Sequence, residues 1–557
     1  MTNLNELRQR AQAEIESRRT TWISIDTGKA GAAAGATAVA ETIAAGIARL
    51  GIDARMTAAG PLGWREAEPV VAIAKPGSPR VYYANVTPAL AAELAAGLAA
   101  GAEQRLDLAF AADTEMGGLP ALKSLPFFAS QRRTALRNVG AVDPEDLSDA
   151  LAHGAYAGLE RALELEPEAV IEAVERAGLR SRGTNALIAQ SWRDCRFAAT
   201  GQRTVVADAV CGYEKCGPYD LLLEGDPHAV LEGVLIAAYA AGAQRAIVGI
   251  DPGSNAALRR TSLALEALRA VGLVGDGIAG TDFSCEIEIR EVPRRLAAAE
   301  ETILLAALEG RKPAQARVRP PSPEQEGLNR KPATVADVEA LALVPVILAE
   351  GSAEGFVQTR IIQLAGSLTR TGCAEIPVGI PLKQIVDEIA GGPQAGQGLK
   401  AVQIGGPSGG WIPAGGLDVA FESEELLKAG CKLIAGPLVA AAGNACAVEL
   451  ARQSAAAGHR GVCGKCTFGR EGTRQLQDVL GDLTKGRGLA SDIGLLEEIA
   501  GVMKDGAMCA NGRNATDAVL TTLKHFRGEY EAHVNEKRCP AETCNMAGVA
   551  AGEKVAQ

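Results

Sequence analysis

Gly461-Val-Cys-Gly-Lys-Cys-Thr-Phe-Gly-Arg-Glu-Gly472 is the run on which the reading of this chain turns. Cys463 and Cys466 form a Cys-x-x-Cys, a spacing that turns two thiolates toward one metal or cluster. Cys509, about one helical hairpin downstream, can add a third ligand, since cluster sites commonly draw a thiolate from a remote segment. The opposing reading packs Cys463 and Cys466 as small apolar residues.

The rest of the composition bounds the setting. At 557 residues the chain is long enough for three or four domains with large cores. Its 56 basic and 67 acidic side chains leave a net charge of −11, which argues against nucleic acid or an anionic membrane as partner. Met1 to Arg19 is charged throughout and reads as a polar helix rather than a signal peptide. The apolar segment Val230 to Ile250 contains Glu232, Gln244 and Arg245, so it reads as a helix followed by a strand, with no direct membrane insertion. Twelve cysteines in such a chain read as cytoplasmic thiols and metal ligands rather than a disulfide framework. Cys195, Cys285, Cys373 and Cys431 are assigned to the core as small apolar residues. No His/Ser or His/Cys arrangement of hydrolytic type is present.

Taken in order, residues 20 to 100 read β-α-β-β-α, with strands at Thr21 to Asp26, Val70 to Ala74 and Val81 to Asn85. Ala36 to Leu50 is an Ala-rich helix, and Pro88 starts the last one at its first turn. Asp143-Pro-Glu145 has the chemistry of a helix start, Asp capping and Pro first. From Thr204 to Gly310 strands and helices alternate: strands at Val205 to Asp208, Ala246 to Ile250 and Glu286 to Val292, helices at Ala229 to Ala243, Leu258 to Val271 and Ala298 to Leu308. Such alternation predicts a twisted α/β sheet. Arg317 to Pro332 is a proline-rich connector, and Thr359 to Glu422 a small β-rich unit. In Lys400-Ala-Val-Gln-Ile-Gly-Gly-Pro-Ser-Gly-Gly-Trp-Ile-Pro413 the glycines read as a turn between strands, because no lysine is placed as in a nucleotide loop.

The opening run resembles the cluster-binding segment of the NADH-binding flavoprotein subunit of respiratory complex I. Soluble NAD-linked hydrogenases and formate dehydrogenases carry related subunits. In that family the run reads Cys-Gly-x-Cys-x-Pro-Cys-Arg-x-Gly and holds a 4Fe–4S cluster with a distant fourth cysteine. The resemblance implies Cys463, Cys466 and Cys509 as ligands, with Gly469 at the third cysteine's place. It extends from about Thr20 to Cys544. The implied fold class is α/β multidomain: a thioredoxin-like domain over 1–105, a Rossmann-like flavoprotein domain with lead-in helices over 106–350, a soluble-ligand-binding β-grasp domain over 351–439, a helical iron–sulfur domain over 440–530 and a tail over 531–557. In the first of these, Asp26, Gly31, Pro61 and Arg65 stand where cluster cysteines are expected. No cysteine precedes Cys195, so no all-thiolate cluster can form there and the domain reads as retained for docking.

The flavin positions match less closely. Ala177 to Trp192 lies where the family has its glycine-rich flavin-phosphate loop, which needs glycines so that backbone amides can approach a phosphate. Arg182 and Gly183 remain, while Ser181, Thr184, Ala186 and Gln190 replace the other glycines; an ordinary loop before a helix is the competing reading. The family's Asn-Ala-Asp-Glu is Asp208-Ala-Val-Cys211 here, its Cys-Gly-Glu-Glu-Thr is Ala298-Ala-Glu-Glu-Thr302, and its Asn-Asn-Val-Glu-Thr is Ala336-Asp-Val-Glu-Ala340. Arg182, Gly183, Asp208, Glu300 and Glu301 are thus the cofactor-binding candidates. Each lost directed contact is worth about 1 kcal/mol, which argues against normal affinity for FMN and with it for NAD(H). At the C-terminus His533, Cys539 and Cys544 are spaced for one metal. Cys446 stands where some hydrogenase-type relatives have a zinc-site cysteine. A Cys3His set is a closed, structural Zn2+ site; the alternative is loose thiols in a disordered tail. The function implied is an electron-transfer subunit working with other subunits of an NAD(P)-linked redox complex, and the other reading is a silent structural or regulatory paralogue.

Overall fold

The structure, a computed structural model, describes residues 4–18, 20–99, 104–182, 184–199, 201–210, 217–293, 300–318, 320–349, 355–434 and 436–546. Its first sheet has the strand order β2-β1-β3-β4-β5, from β1 (Thr21–Asp26), β2 (Ala54–Ala59), β3 (Val71–Ala74), β4 (Val81–Tyr83) and β5 (Ala111–Ala112). β1 and β2 run parallel, while β3 is antiparallel to both β1 and β4. Alternate residues Ile23, Ile25, Val71, Ile73, Val81 and Tyr83 bury one face under the helices Ala36–Leu50 and Pro88–Ala96. Thr87 caps the second of these helices by accepting from Leu90 N at 3.3 Å, with Pro88 in its first turn. The β-α-β-β-α expectation lacks β2. Ala-Arg-Met-Thr-Ala-Ala has little strand propensity of its own and is an edge strand held by pairing to β1. The expected helix start at Asp143 is also displaced. Asp143 Oδ1 accepts from Glu145 N at 3.1 Å, closing a turn, and the helix is Leu147–Ala152, capped by Asp146.

The second sheet is fully parallel, in the order β8-β7-β6-β9: β6 (Thr204–Ala209), β7 (Arg245–Ile250), β8 (Glu286–Glu291) and β9 (Ala333–Asp337). The central strands read as near-continuous apolar runs because helices cover the sheet, as parallel sheets require. Helices Pro227–Ala241 and Val338–Ala349 are buried over nearly their whole length beside it. Asp226 caps the first by accepting from Ala229 N at 3.0 Å. Helix Asn255–Ala270 and the described helix Glu301–Leu308 complete this unit; the expected start at Ala298 lies outside the described residues.

The third sheet runs β11-β10-β14-β12-β13, built from β10 (Thr359–Gly366), β11 (Gly372–Pro377), β12 (Leu399–Gln403), β13 (Trp411–Pro413) and β14 (Leu438–Ala442). The glycine run between β12 and β13 is the turn of an antiparallel pair. Gly405 has φ +83°, and a Cβ there would sit 2.6 Å from Ile434 Cγ1, so both conformation and packing demand glycine. The apolar face of this sheet shares one core with Ala72 and Tyr82 of the first sheet and with Phe127 and Phe128 of the segment that follows it. Last comes a helical region, Ala447–Gly461, Thr467–Thr484, Asp492–Gly506 and Asp517–Glu531, closed around Leu476, Leu480, Leu483, Leu496 and Met503. Cys195, Cys285, Cys373 and Cys431 are all buried, as expected of core thiols. Among the described residues no helix is long and apolar enough to cross a membrane.

Candidate functional site

The cysteine run lies between two helices that present it. Helix Ala447–Gly461 ends just before Cys463, Gly464 turns the chain with φ +76°, and Cys466 caps helix Thr467–Thr484. Cys466 Sγ accepts two backbone N–H groups, from Gly469 at 3.3 Å and from Met508 at 3.4 Å. Cys509 lies one residue beyond Met508 and is buried with Ile303 and Ala316 beside Val462 and Cys463. The Cys509 thiol donates to Cys463; that contact first, then backbone N–H groups and Lys465, pulls Cys463 down to about 5. Cys509 holds the proton and is pushed up correspondingly. Cys463, Cys466 and Cys509 therefore gather at one end of the helical region, although among the described residues they do not close to single-ion spacing.

Position 469 faces the same place. A Cβ built on Gly469 would lie 3.3 Å from Cys466 Sγ. A Cβ on Gly512 would lie 3.4 Å from Cys509 Sγ and 3.5 Å from Gly469 Cα, so these groups surround one small volume. The run is tied to the parallel-sheet unit: Gln315 Nε2 donates to Cys463 O at 3.3 Å, Lys465 Nζ to Ala316 O at 2.9 Å and Ala510 N to Glu300 Oε2 at 2.6 Å.

Glu300 thus serves as a tie to the helical region, a role its place before a helix did not announce. Its other oxygen accepts from Thr302 at 2.9 Å. Glu301, partly buried, is pushed up to about 7 by burial and by Glu324 and Glu300. Asp208, next to the last residue of β6, accepts from Val210 N at 2.9 Å and is also pushed up to about 7, first by burial and then by Asp337. Arg182 is buried, and its guanidinium donates to Glu339 Oε2 at 2.8 Å and Ile361 O at 2.7 Å. Its backbone N–H donates to Asp337 Oδ2 at 2.8 Å, joined there by the Ser181 hydroxyl at 3.3 Å. Gly183 lies outside the described residues, as do 211–216 and 294–299. For a flavin phosphate the described part of this edge offers a fit poorer than the loop position suggests. The buried Arg182 and Arg360 both pair with Glu339, and the Arg182 amide is taken by a carboxylate. Asp337 is the residue that sequence reasoning passed over; the signal was the acid at the second asparagine of the family's Asn-Asn-Val-Glu-Thr.

At the far end of the helical region Cys446, His533, Cys539 and Cys544 come together, their ligand atoms all within 4.8 Å of one another. Cys446 Sγ is 3.5 Å from His533 Nε2 and 3.6 Å from Cys544 Sγ. His533 Nδ1 sits 2.7 Å from Glu529 O, which aims Nε2 at the sulfurs, the usual outer-shell arrangement of a ligating imidazole. Cys446 is pulled down to about 4 by hydrogen bonds from Cys544 and His533. Burial disfavours the imidazolium of His533, but Cys446 and the Glu529 carbonyl outweigh it and lift the ring to about 9.

Near the expected cysteine positions the first unit touches the parallel-sheet unit. Asp26 is buried, a Cβ on Gly60 would run into Gly225 Cα, and Lys29 N donates to Glu224 Oε2 at 3.0 Å. Arg260 crosses the same boundary to Thr27 Oγ1 and Ala58 O, each at 3.2 Å.

Comparison with known proteins fits this geometry. Residues 174–346 match the family model described as "Nuo51 FMN-binding domain", and residues 449–533 that described as "NADH-ubiquinone oxidoreductase-F iron-sulfur binding region". The chain is 36% identical over 427 residues to the NADP-reducing hydrogenase subunit HndC of Solidesulfovibrio fructosivorans, covering 74% of this chain and 86% of that one. It is 35% identical over 414 residues to an NADH-quinone oxidoreductase subunit of Rhizobium meliloti (strain 1021), covering 73% and 98%. A crystal structure of an NAD+-reducing [NiFe]-hydrogenase in the H2-reduced state superposes with a TM-score of 0.62 at 22% identity, over 95% of this chain and 89% of the other, a likeness of fold.

Proposed function

Because this chain belongs to the family of NADH-binding FMN/4Fe–4S subunits of complex I and NAD-reducing hydrogenases, we propose that it is an electron-transfer subunit of an NAD(P)-linked oxidoreductase complex. The observation that carries this is Cys466, whose sulfur receives N–H groups from both segments that bear the other two cysteines. Cys463, Cys466 and Cys509 would hold a 4Fe–4S cluster at three corners, with Gly469 leaving the fourth without a protein thiolate. Such a cluster supplies one-electron transfer; the chain's part is to place the thiolates, donate N–H groups to Cys466 and shield Cys509. A second reading is favoured by Gly469 and by the occupied Arg182: a cofactor-poor paralogue that acts as a structural or regulatory partner of redox subunits.

The strand order β2-β1-β3-β4 supports a thioredoxin-like first domain over 1–105, kept for docking, and the parallel sheet a Rossmann-like domain over 106–350. The mixed sheet supports the β-grasp assignment over 351–439, although its last strand runs to Ala442. The helical iron–sulfur domain over 440–530 and the tail over 531–557 follow. We assign Cys446, His533, Cys539 and Cys544 to a structural Zn2+ that pins the tail; their 4.8 Å spacing and buried setting support a closed tetrahedral site. FMN and NAD(H) binding is weakened, with Arg182, Gly183, Asp208, Glu300 and Glu301 as the remaining candidates; the pairing of Arg182 with Glu339 supports this.

Anaerobic purification followed by iron and acid-released flavin assays tests the reading. Iron retained without stoichiometric FMN is expected. A preparation devoid of iron after anaerobic reconstitution would leave the structural-partner reading standing, and about one FMN per chain would overturn the weakened flavin site.

A further inference from the structure

Three segments that enter the parallel sheet carry the same pair of residue types. Gln202-Arg203 precedes β6, Gln244-Arg245 opens β7, and Asn329 with Lys331 precedes β9. In-register parallel pairing, Thr204 with Arg245 and Thr204 with Ala333, brings them to one level at the amino ends of the strands. There they line a cavity of about 460 Å³, within the range of small-ligand sites and at the opposite end of the strands from Asp208 and Asp337.

The charge in this recess runs against that of the chain. Arg203, Arg245 and Lys331 face it, with the carboxamides of Gln202, Gln244 and Asn329 between them, in a protein of net charge −11. Among the described residues only Arg245 of these cations has a carboxylate partner, Glu288 at 2.9 Å. Arg203 uses Nε on Cys195 O at 2.8 Å and Nη2 on Ala198 O at 3.5 Å, which caps the end of helix Ile188–Arg196. That capping role accounts for part of Arg203, but not for Arg245, Lys331 or the three amides. Lys331 pairs with the carbonyl end of Gln202. Among the described residues Nη1 of Arg203, Nη1 of Arg245 and the amide nitrogens of Gln202, Gln244 and Asn329 make no hydrogen bond to protein.

The loop that closes the recess is held in a costly conformation. Asn329 and Arg330 are consecutive non-glycine residues with φ +53° and +61°. Glu309 holds the turn by accepting from Asn329 N at 2.8 Å and from Arg317 at 2.9 Å. The result places the Asn329 amide and the Lys331 ammonium on the rim of the cavity rather than away from it.

We propose that this recess is a binding site for a small molecule bearing a phosphate or pyrophosphate group. The Nη1 groups of two guanidiniums and an ammonium match the charge of phosphate, and the carboxamide nitrogens supply further donors without adding charge. The ligand approaches from the amino edge of the sheet, so its site is separate from the cluster run and the flavin edge.

Titration calorimetry of the full chain with pyrophosphate, at fixed ionic strength and with sulfate as the control dianion, tests the assignment. Saturable one-site pyrophosphate binding is expected, weakened at least tenfold in the double variant Lys331→Gln/Arg245→Gln and unchanged in Arg176→Gln. Lys331 and Arg245 lie at the rim, and circular dichroism checks that the double variant keeps its fold. Absence of saturable binding by the unmodified chain, or equal affinity in the folded double variant, overturns the proposal whatever the iron or flavin content. Should the double variant not fold, Gln244→Ala replaces it, with a severalfold loss expected and unchanged affinity refuting the site.

Discussion

Glu224→Gln should remove the share of the pH dependence that Glu224 gives to docking of the N-terminal unit between pH 5 and 8, leaving that of the neighbouring Asp26–Glu68 pair, both held up by burial. Glu224 is fully buried at the boundary; its Oε2 accepts from Lys29 N, and among the described residues Oε1 has no hydrogen-bond partner. Asp26 faces it from β1, Glu68 lies beyond Asp26, Asp220 shares its helix, and Lys29 pairs with Asp220. Arg260, from helix Asn255–Ala270, spends its guanidinium on the Glu224 backbone carbonyl, Thr27 and Ala58. Burial, then repulsion by Asp220 and Asp26, pushes the Glu224 carboxyl from 4.5 up to about 8. The folded protein therefore keeps a proton that the unfolded chain releases above pH 4.5, and stability falls as pH rises until it levels off above about 8. At about 1.36 kcal/mol per pH unit, that shift amounts to a ceiling of roughly 5 kcal/mol between those limits. Gln keeps an acceptor for Lys29 N and fills the partnerless position with an N–H donor near Asp26. Urea titrations of wild type and variant at pH 5.5, 7 and 8.5, read by protease release of the first unit, should converge at low pH. They should diverge by a few kcal/mol at high pH, the variant being the more stable. Parallel midpoints across the series would refute the reasoning.

Other perturbations address the ligand clusters directly. Gly469→Cys should raise iron retention on anaerobic reconstitution, because its Cβ would stand 3.3 Å from Cys466 Sγ, while Cys466→Ala should abolish it. Equal iron in all three proteins would remove the cluster. Cys544→Ser should release zinc and expose the segment after His533 to protease; unchanged zinc by metal analysis would exclude the residue as a ligand. Arg182→Met leaves the carboxyl of Glu339 buried with, among the described residues, only the 3.5 Å ion pair to Arg360. It should cost on the order of 3–5 kcal/mol in urea unfolding, and a loss below about 1 kcal/mol would show that the pair is dispensable.

How much is legible in the sequence follows from where the information lies. Strong local patterns reappear in the structure: Thr21–Asp26 is a strand, Asp226-Pro-His carries a cap and a first-turn proline, and His533, Cys539 and Cys544, spaced for one metal, lie together with Cys446. β2 escapes a reading by pattern because Ala-Arg-Met-Thr-Ala-Ala carries no signal without its neighbour. Asp143 has the local chemistry of a cap, but Asp146 three residues on suits the role equally and the chain uses that instead. The contacts of Arg182 are beyond local reading. Its partners, Glu339 and Ile361, are more than 150 residues away, and only the tertiary fold decides that its guanidinium turns inward. The recess at Arg203, Arg245 and Lys331 is equally hidden, since three unremarkable basic residues become one site only through parallel register.

The geometry of the cysteine run does not depend on iron for its support. Gln315 and Lys465 hold Cys463 and its neighbours against the 314–316 segment, and Glu300 anchors the residue after Cys509. Leu476, Leu480 and Leu483 bury the far turns of the helix that Cys466 starts, contributing about 1.5–3 kcal/mol each. Removing a cluster would take away thiolate–iron bonds but none of these contacts, so the region should stay folded when the metal is lost. Chelation under anaerobic conditions therefore separates two properties that coincide in proteins folded by their metal. The helical signal in circular dichroism should persist while iron leaves. Exchange protection of the Gly469 and Met508 amides should fall, because both donate to Cys466 Sγ and that sulfur would no longer be fixed. Cooperative loss of helix with the iron would mean that the ties to Gln315, Lys465 and Glu300 are too weak to hold the run, and that the cluster folds this end of the chain.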